Sequence, residues 1–239
     1  MQNLIEETHH EWHDILSCAL KGMDPDYLRH LQNTNDWLPG NACIFNAFHM
    51  PLSSARYLLF GESPYPRKAS ANGYAFWDNA VGSLWSQTGL SREVNRATSL
   101  RNFIKMLLYA RGDLLKDFSQ VAISHLDKSH YQQTAAELFH ALMNHGIVLL
   151  NASLVYREAE VTYHARQWQP FIHRLLSQLA EMRCELQLIL FGKIAKEIPK
   201  TQLSIALISE HPYNLSFITN EKVVAFFKPL DLLLKEKVS

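Results

Sequence analysis

Four short apolar runs punctuate the chain: Arg56–Phe60 (RYLLF), Ile147–Leu150 (IVLL), Leu186–Phe191 (LQLILF) and Ile205–Ser209 (IALIS). Each is continuous rather than alternating, the pattern of a strand buried on both faces. Between them, apolar residues recur at intervals of three and four. Leu100, Ile104, Leu107 and Leu108 form one stripe, Ala136, Phe139, Leu142 and Met143 a second, and Phe171, Leu175, Leu176 and Leu179 a third. These stripes predict amphipathic helices. Strands separated by helices imply an α/β fold with a mainly parallel sheet, and the intervals leave room for right-handed crossovers. No repeat, low-complexity tract or Gly/Ser linker marks a boundary, so a single domain over residues 1–239 is expected.

The residues at the carboxyl end of each run carry the chemistry. The first run enters Gly61-Glu62-Ser63-Pro64-Tyr65-Pro66 and the second Asn151-Ala152-Ser153. The third enters Gly192-Lys193, and the fourth Glu210-His211-Pro212-Tyr213-Asn214-Leu215-Ser216. Carboxyl ends of parallel strands line up along one edge, where ligands bind, so these segments are expected to converge. Each residue also has an ordinary explanation. Gly and Pro form turns, Asn151 could cap a helix, and His211 could be a loop histidine. Tyr65 and Phe76 could be core aromatics, and Arg101, Lys105 and Arg111 a solvated helix face. Ser63 does not fit a nucleophile elbow, because G-x-S-x-G is absent. His9-His10-x-x-His13 lacks a matching carboxylate pattern and His211 stands alone, so no metal is expected. Neither Walker A nor G-x-G-x-x-G occurs, which argues against a nucleotide cofactor.

Composition narrows the partners. The 239 residues are 47% hydrophobic and 19% charged, which excludes wholesale disorder. No apolar run approaches the ~18 residues of a membrane helix, so no membrane partner is expected. Lys+Arg (23) and Asp+Glu (23) cancel. Nucleic-acid binding would therefore rest on local charge and helix N-termini rather than a bulk basic field. Cys18, Cys43 and Cys184, an odd number widely spaced, fit neither a disulfide framework nor a zinc site. The start, MQNLIEETHHEWHDIL, is polar and acid-rich, unlike a secretory signal. A monomer in a reducing intracellular compartment, the cytoplasm (or a nucleus), is the expectation.

Together the segments resemble one family. Gly61–Asp78, GESPYPRKASANGYAFWD, is similar without a gap to the uracil-DNA glycosylase motif GQDPYHGPGQAHGLAFSV. Ile44–Phe48 (IFNAF) resembles VFNAF, and Ser99-Leu100-Arg101-Asn102 resembles SLxN at a helix start. Gly146–Arg157 (GIVLLNASLVYR) resembles GVLLLNTVLTVR, Trp168–Phe171 (WQPF) resembles WETF, and Leu190–Lys193 (LFGK) resembles LWGS. His211–Ser216 (HPYNLS) is similar to HPSPLS. The order is collinear, and the similarity runs from about Trp12 nearly to the C-terminus. It implies a three-layer αβα fold around a small central, mainly parallel four-stranded sheet. It also implies a DNA-repair hydrolase that flips a uracil-type base from single- or double-stranded DNA and cleaves its N-glycosidic bond with water and no cofactor.

The resemblance implies roles residue by residue. The Asn151 carboxamide, donor and acceptor at once, would read the uracil edge. Phe76 would stack on the base, and Tyr65 would exclude a thymine methyl. His211 would donate to uracil O2 as negative charge builds there. Leu215 would fill the space the base leaves, and Ser99, Ser216 and Lys193 would hold phosphates. The chain departs where the family has its catalytic Asp: that position is Ser63, whose hydroxyl carries no charge near neutral pH. Loss of the acid–base group predicts roughly 10²–10⁴-fold slower excision. Glu62 is the candidate replacement, its GESP being similar to the GE[AS]PG of another branch of the superfamily. A catalytically inactive relative, using the same pocket to bind DNA or protein, is the alternative, and action on another base or nucleoside is a third. Pro66 and Asn72 replace histidines, Ala97-Thr98 stand where a proline-rich loop is expected, and Tyr213-Asn214 replace Ser-Pro.

Overall fold

The computed structural model describes residues 1–183 and 185–235. They fall into two compact units, each discontinuous in sequence: residues 1–77 with 146–208, and residues 78–145 with the stretch from 209 onward. The strands are β1 (Tyr57–Gly61), β2 (Trp85–Ser86), β3 (Gly89–Leu90), β4 (Ile147–Asn151), β5 (Gln187–Phe191) and β6 (Ser204–Ser209). Of the cysteines, Cys18 and Cys43 are free thiols, and Cys184 lies outside the described residues.

The first unit holds a four-stranded sheet of order β4-β1-β5-β6, with β1 parallel to both β4 and β5. Helices flank this sheet, as expected of an α/β fold. Leu58 stands opposite Val148 on one side and Leu188 on the other, so alternate residues share a face. Leu58, Phe60, Val148, Leu150, Leu188 and Leu190 join one core with residues of the helices His13–Leu20 and Val161–Met182, among them Leu16, Trp168, Phe171 and Leu175. The intervening Leu59, Ile147, Leu149, Ile189 and Phe191 are buried as well. Burial on both faces is why these runs lack alternation, and each such side chain contributes about 1.5–3 kcal/mol.

The fourth run corrects its expectation. β6 lies at the edge of the sheet, and Ile205 and Ile208 are 51% and 47% exposed, with Leu207 buried. A run of apolar residues records affinity for a strand but not whether the strand has a neighbour on each side.

The second unit contains the antiparallel ribbon β2–β3, too short to register as a pattern, and the helices Thr98–Arg111 and Ala135–Asn144. The latter begins with a reciprocal capping box between Thr134 and Glu137. Arg101, Lys105 and Arg111 do not form a solvated face, for all three are half-buried. Arg111 bonds to Asp113 at 2.8 Å and to Asp231, and its guanidinium lies 5.1 Å from the centre of the Tyr131 ring. Arg101 donates to the Asn95 carbonyl at 3.0 Å. Burial, and next the Arg101 charge, pull the Lys105 ammonium below its ordinary pKa. No helix among the described residues is long and apolar enough to cross a membrane.

Candidate functional site

The tips of β1 and β4 meet in register, Gly61 beside Asn151. Pairing continues beyond them, with Ala152 N–H donating to the Gly61 carbonyl (2.9 Å) and Ser153 N–H to that of Glu62 (3.0 Å). A Cβ on Gly61 would lie 2.5 Å from Asn151 Oδ1 and 2.9 Å from the Ala75 Cβ. Glycine is therefore what lets the carboxamide approach this backbone. Asn151 is 2% exposed, and its Nδ2 has no hydrogen-bond partner among the described residues. A buried donor left unmade costs about 1–3 kcal/mol, which a ligand acceptor would recover.

A loop from residue 71 to 76 closes over these tips. Its anchors are Ala75 N–H on the Leu149 carbonyl (3.1 Å) and Asn46 Nδ2 on that of Asn72 (2.8 Å). Gly73 has φ +86°, and a Cβ there would collide with the Cys43 carbonyl, 1.9 Å away. Phe76 is held at φ +64°, where a side chain costs roughly 1–2 kcal/mol. Its carbonyl accepts from the Tyr65 hydroxyl at 3.1 Å, and its ring meets that of Phe191 nearly edge-on at 5.9 Å. Tyr65 and Phe76 are half-buried rather than core aromatics. Sequence reasoning passes over Phe191, which reads as the last strand residue, and over Asn46, whose signal is a polar residue inside the apolar IFNAF.

Glu62 and Ser63 have a different setting. With Lys193, Ala152, Ser153 and one side of the helix Val161–Met182 they line a cavity of about 290 Å³, whose walls include none of Asn151, Tyr65 or Phe76. Lys193, expected to attract a phosphate by its charge, pairs here with acidic side chains. Its Nζ lies 2.5 Å from Glu62 Oε1 and 4.0 Å from Glu197. The hydrogen bond it donates to Glu62 raises the Lys193 pKa, so the side chain stays cationic. Ser63 is half-buried and Glu62 exposed.

In the second unit, His211, Leu215 and Ser216 occupy one segment. Asn214 N–H closes a turn onto the His211 carbonyl at 2.9 Å, and Tyr213 N–H donates to His211 Nδ1 at 3.1 Å. Nδ1 accepts this bond, so the neutral imidazole carries its proton on Nε2. The fully buried Asn102 grips the same segment, its Nδ2 reaching the carbonyls of Pro212 (2.8 Å) and Tyr213 (3.2 Å). In the sequence Asn102 shows as the last residue of the segment matched to SLxN and as a polar position on the inner face of a helix, and neither signal gives this role. Leu215 is 71% exposed, and Ser216 is exposed too. Ser99, half-buried, is the second residue of the helix Thr98–Arg111, whose N-terminus no side chain caps, leaving amide donors for an anion. Away from these segments, His9, His10 and Glu11 bring ligand atoms within 4.8 Å of one another. The Glu11 carboxylate is already bound by Ser53 N–H (2.6 Å) and Oγ (3.0 Å).

No family model matches the chain. The wild-type UNG crystal structure from Nitratifractor salsuginis is 42% identical, with a TM-score of 0.93 over 98% of this chain and 97% of that one. The mimivirus uracil-DNA glycosylase shares the fold at 18% identity and a TM-score of 0.58, over 88% of this chain and 71% of that one. Among curated relatives, the uracil-DNA glycosylase of varicella-zoster virus (strain Dumas) is 26% identical over 216 residues, 86% of this chain and 61% of the relative. That of Pseudomonas aeruginosa is 29% identical over 184 residues, 74% and 66%. The chain thus spans about two thirds or less of the length of these two curated relatives. With 42% identity over nearly the whole of both chains, it belongs to the uracil-DNA glycosylase family.

Proposed function

We propose that this protein removes uracil from DNA by hydrolysing the N-glycosidic bond, at a rate limited by the missing aspartate. The observation that carries the reading is Asn151: a buried carboxamide, fixed by close packing against Gly61, with a donor that nothing among the described residues satisfies. Uracil presents an acceptor O4 beside a donor N3–H, which a carboxamide matches atom for atom. Phe76 supplies an apolar face and Tyr65 the wall that excludes a C5-methyl. Leu215 occupies the space of the extruded nucleotide, and Ser99, Ser216 and Lys193 take up phosphates.

In the reaction the C1′–N1 bond breaks and its electron pair leaves with the uracil. The Nε2–H of His211 stabilises charge on O2, a contribution of about 2.7–4 kcal/mol for a well-aimed donor. Water adds through its oxygen to C1′, and its proton passes to the Glu62 carboxylate or to solvent, while the leaving base takes up a proton from water. Ser63 orients the water by hydrogen bonding alone. Free uracil and an abasic site result. One observation favours the second reading, a non-catalytic DNA-binding relative: Glu62 is engaged by Lys193.

The test is excision of uracil from single-stranded DNA, measured as released base, for the parent and Asn151→Ala. Release by the parent, reduced about 10²-fold or more in the variant, is expected. Equal release by both proteins would remove the base-reading assignment. No release by the parent would leave the binding reading.

A further inference from the structure

We propose that Tyr213 is a second DNA-engaging side chain beside Leu215, stacking its ring on a nucleobase that flanks the vacated position. This rests on the glycosylase reading and adds to it a contact that the family motif, with Ser in this place, does not supply.

Four observations meet at this residue. Tyr213 is 67% exposed and Leu215 71% exposed, so two large apolar side chains two residues apart face solvent. They are not on a loose loop. Pro212 and Tyr213 are the central residues of a turn closed by Asn214 N–H on the His211 carbonyl. The Pro212 and Tyr213 carbonyls are both held by Asn102, which is itself fully buried. Tyr213 N–H is held by His211 Nδ1. Proline presets φ at the first central position, so the backbone that presents the ring is ordered before any ligand arrives. An aromatic ring carried at the apex of an ordered turn suits a sequence-tolerant π contact, because every base offers a π-face. The His211 bond also couples the Tyr213 backbone to the ring whose Nε2 the proposed O2 contact uses.

Two bases could supply the face: the partner left unpaired in the opposite strand, or the same-strand neighbour. The experiment separates them. Binding to DNA carrying a stable abasic analogue is measured by fluorescence anisotropy, as a duplex and as a single strand, for the parent, Tyr213→Phe and Tyr213→Ala. The probe base 2-aminopurine is placed either opposite or beside the analogue. Stacking predicts that Tyr213→Ala weakens binding by roughly 5- to 150-fold, while Tyr213→Phe stays close to the parent. Quenching of the probe by the parent and by Tyr213→Phe, lost in Tyr213→Ala, identifies the base. An effect confined to duplex marks the opposite strand, and one seen in both substrates marks the neighbour. Exposure of the ring means the thermal midpoint of Tyr213→Ala should match the parent. If the parent prefers abasic to intact DNA but Tyr213→Ala binds and quenches equally well, the stacking assignment is wrong and the glycosylase reading survives. If the parent shows no preference for abasic over intact DNA, the reading itself fails and this assignment with it.

Discussion

Two adjoining stretches at the sheet edge are built on opposite principles. At the tip of β4, Asn151 is 2% exposed and sits so near Gly61 that a single methyl group would displace it. One residue past β1, Glu62 is exposed and pairs with Lys193, itself exposed, across 131 positions of sequence. The first arrangement tolerates no slack, since close-packed surroundings transmit any change of volume. The second is a solvent-facing ion pair that water can replace at little cost. A fixed tip suits recognition, where geometry is the function. The resemblance points the same way: residues matched to base reading keep their identities, and Ser63 does not.

The largest expected effect bears on the exposed side of that contrast. Ser63→Asp places a carboxylate at the position that the resemblance matches to the family's aspartate, and should raise kcat for uracil release by roughly 10²–10⁴-fold. Glu62→Ala is its counterpart. If Glu62 already serves as the base, the alanine variant loses excision and Ser63→Asp gains little. Stopped assays of released uracil on both variants decide which carboxylate position is productive. An unchanged rate in both would mean that neither position meets the water.

Next in size is a perturbation of the fixed tip. In Gly61→Ala the added Cβ would lie 2.5 Å from Asn151 Oδ1 and 2.9 Å from the Ala75 Cβ, closer than real contacts allow. Displacing a binding group by about 1 Å can cost 10²-fold in rate, and overpacking costs about 1–3 kcal/mol of stability. Both kcat/KM and the thermal midpoint should therefore fall. Parent-like kinetics would show that the carboxamide has freedom the packing denies it.

These residues also mark how far the sequence could be read. β1, β4 and β5 were legible because burial on both faces leaves an uninterrupted apolar run. IALIS has the same signature and yet lies at an edge with two isoleucines in solvent, since strand order is a property of the sheet and not of the run. Asn151 and Tyr65 could be picked out by resemblance. The reason for Gly61 could not, because it depends on where Ala75 and Asn151 arrive from distant segments. Lys193 was visible as a charge, while its engagement by Glu62 was not. The two units were also invisible, because the chain leaves and re-enters each without a linker.

A smaller effect is expected at that ion pair. Both partners are more than half exposed, so Lys193→Ala should change stability by no more than about 1 kcal/mol. If Lys193 leaves Glu62 to meet a phosphate, the variant should lower the slope of log affinity against log salt by about one unit. An unaltered slope would place the ammonium with Glu62 in the bound state as well. Anisotropy titrations over a series of salt concentrations give the answer.

The smallest effect on activity, and a check that the contrast concerns burial itself, comes from His164. This residue is 1% exposed, with Nδ1 2.8 Å from the Tyr27 hydroxyl and Nε2 3.5 Å from Glu160. Burial holds its pKa below the ordinary value, against the opposing pull of Glu160, whereas in the unfolded chain it titrates near 6.5. Above that value both states are neutral at this ring and it contributes no pH dependence. As the pH falls below it, the unfolded chain binds a proton that the folded protein refuses, so stability is lost until the pH passes the depressed folded value. The parent should thus show a thermal midpoint declining from about pH 7 toward about pH 5, and His164→Gln a flatter profile over the same window once the other groups' common contribution is subtracted. Equal slopes would mean that the imidazole is protonated in place, with Glu160 close enough to hold it charged, and that burial alone does not decide the state of a polar group in this unit.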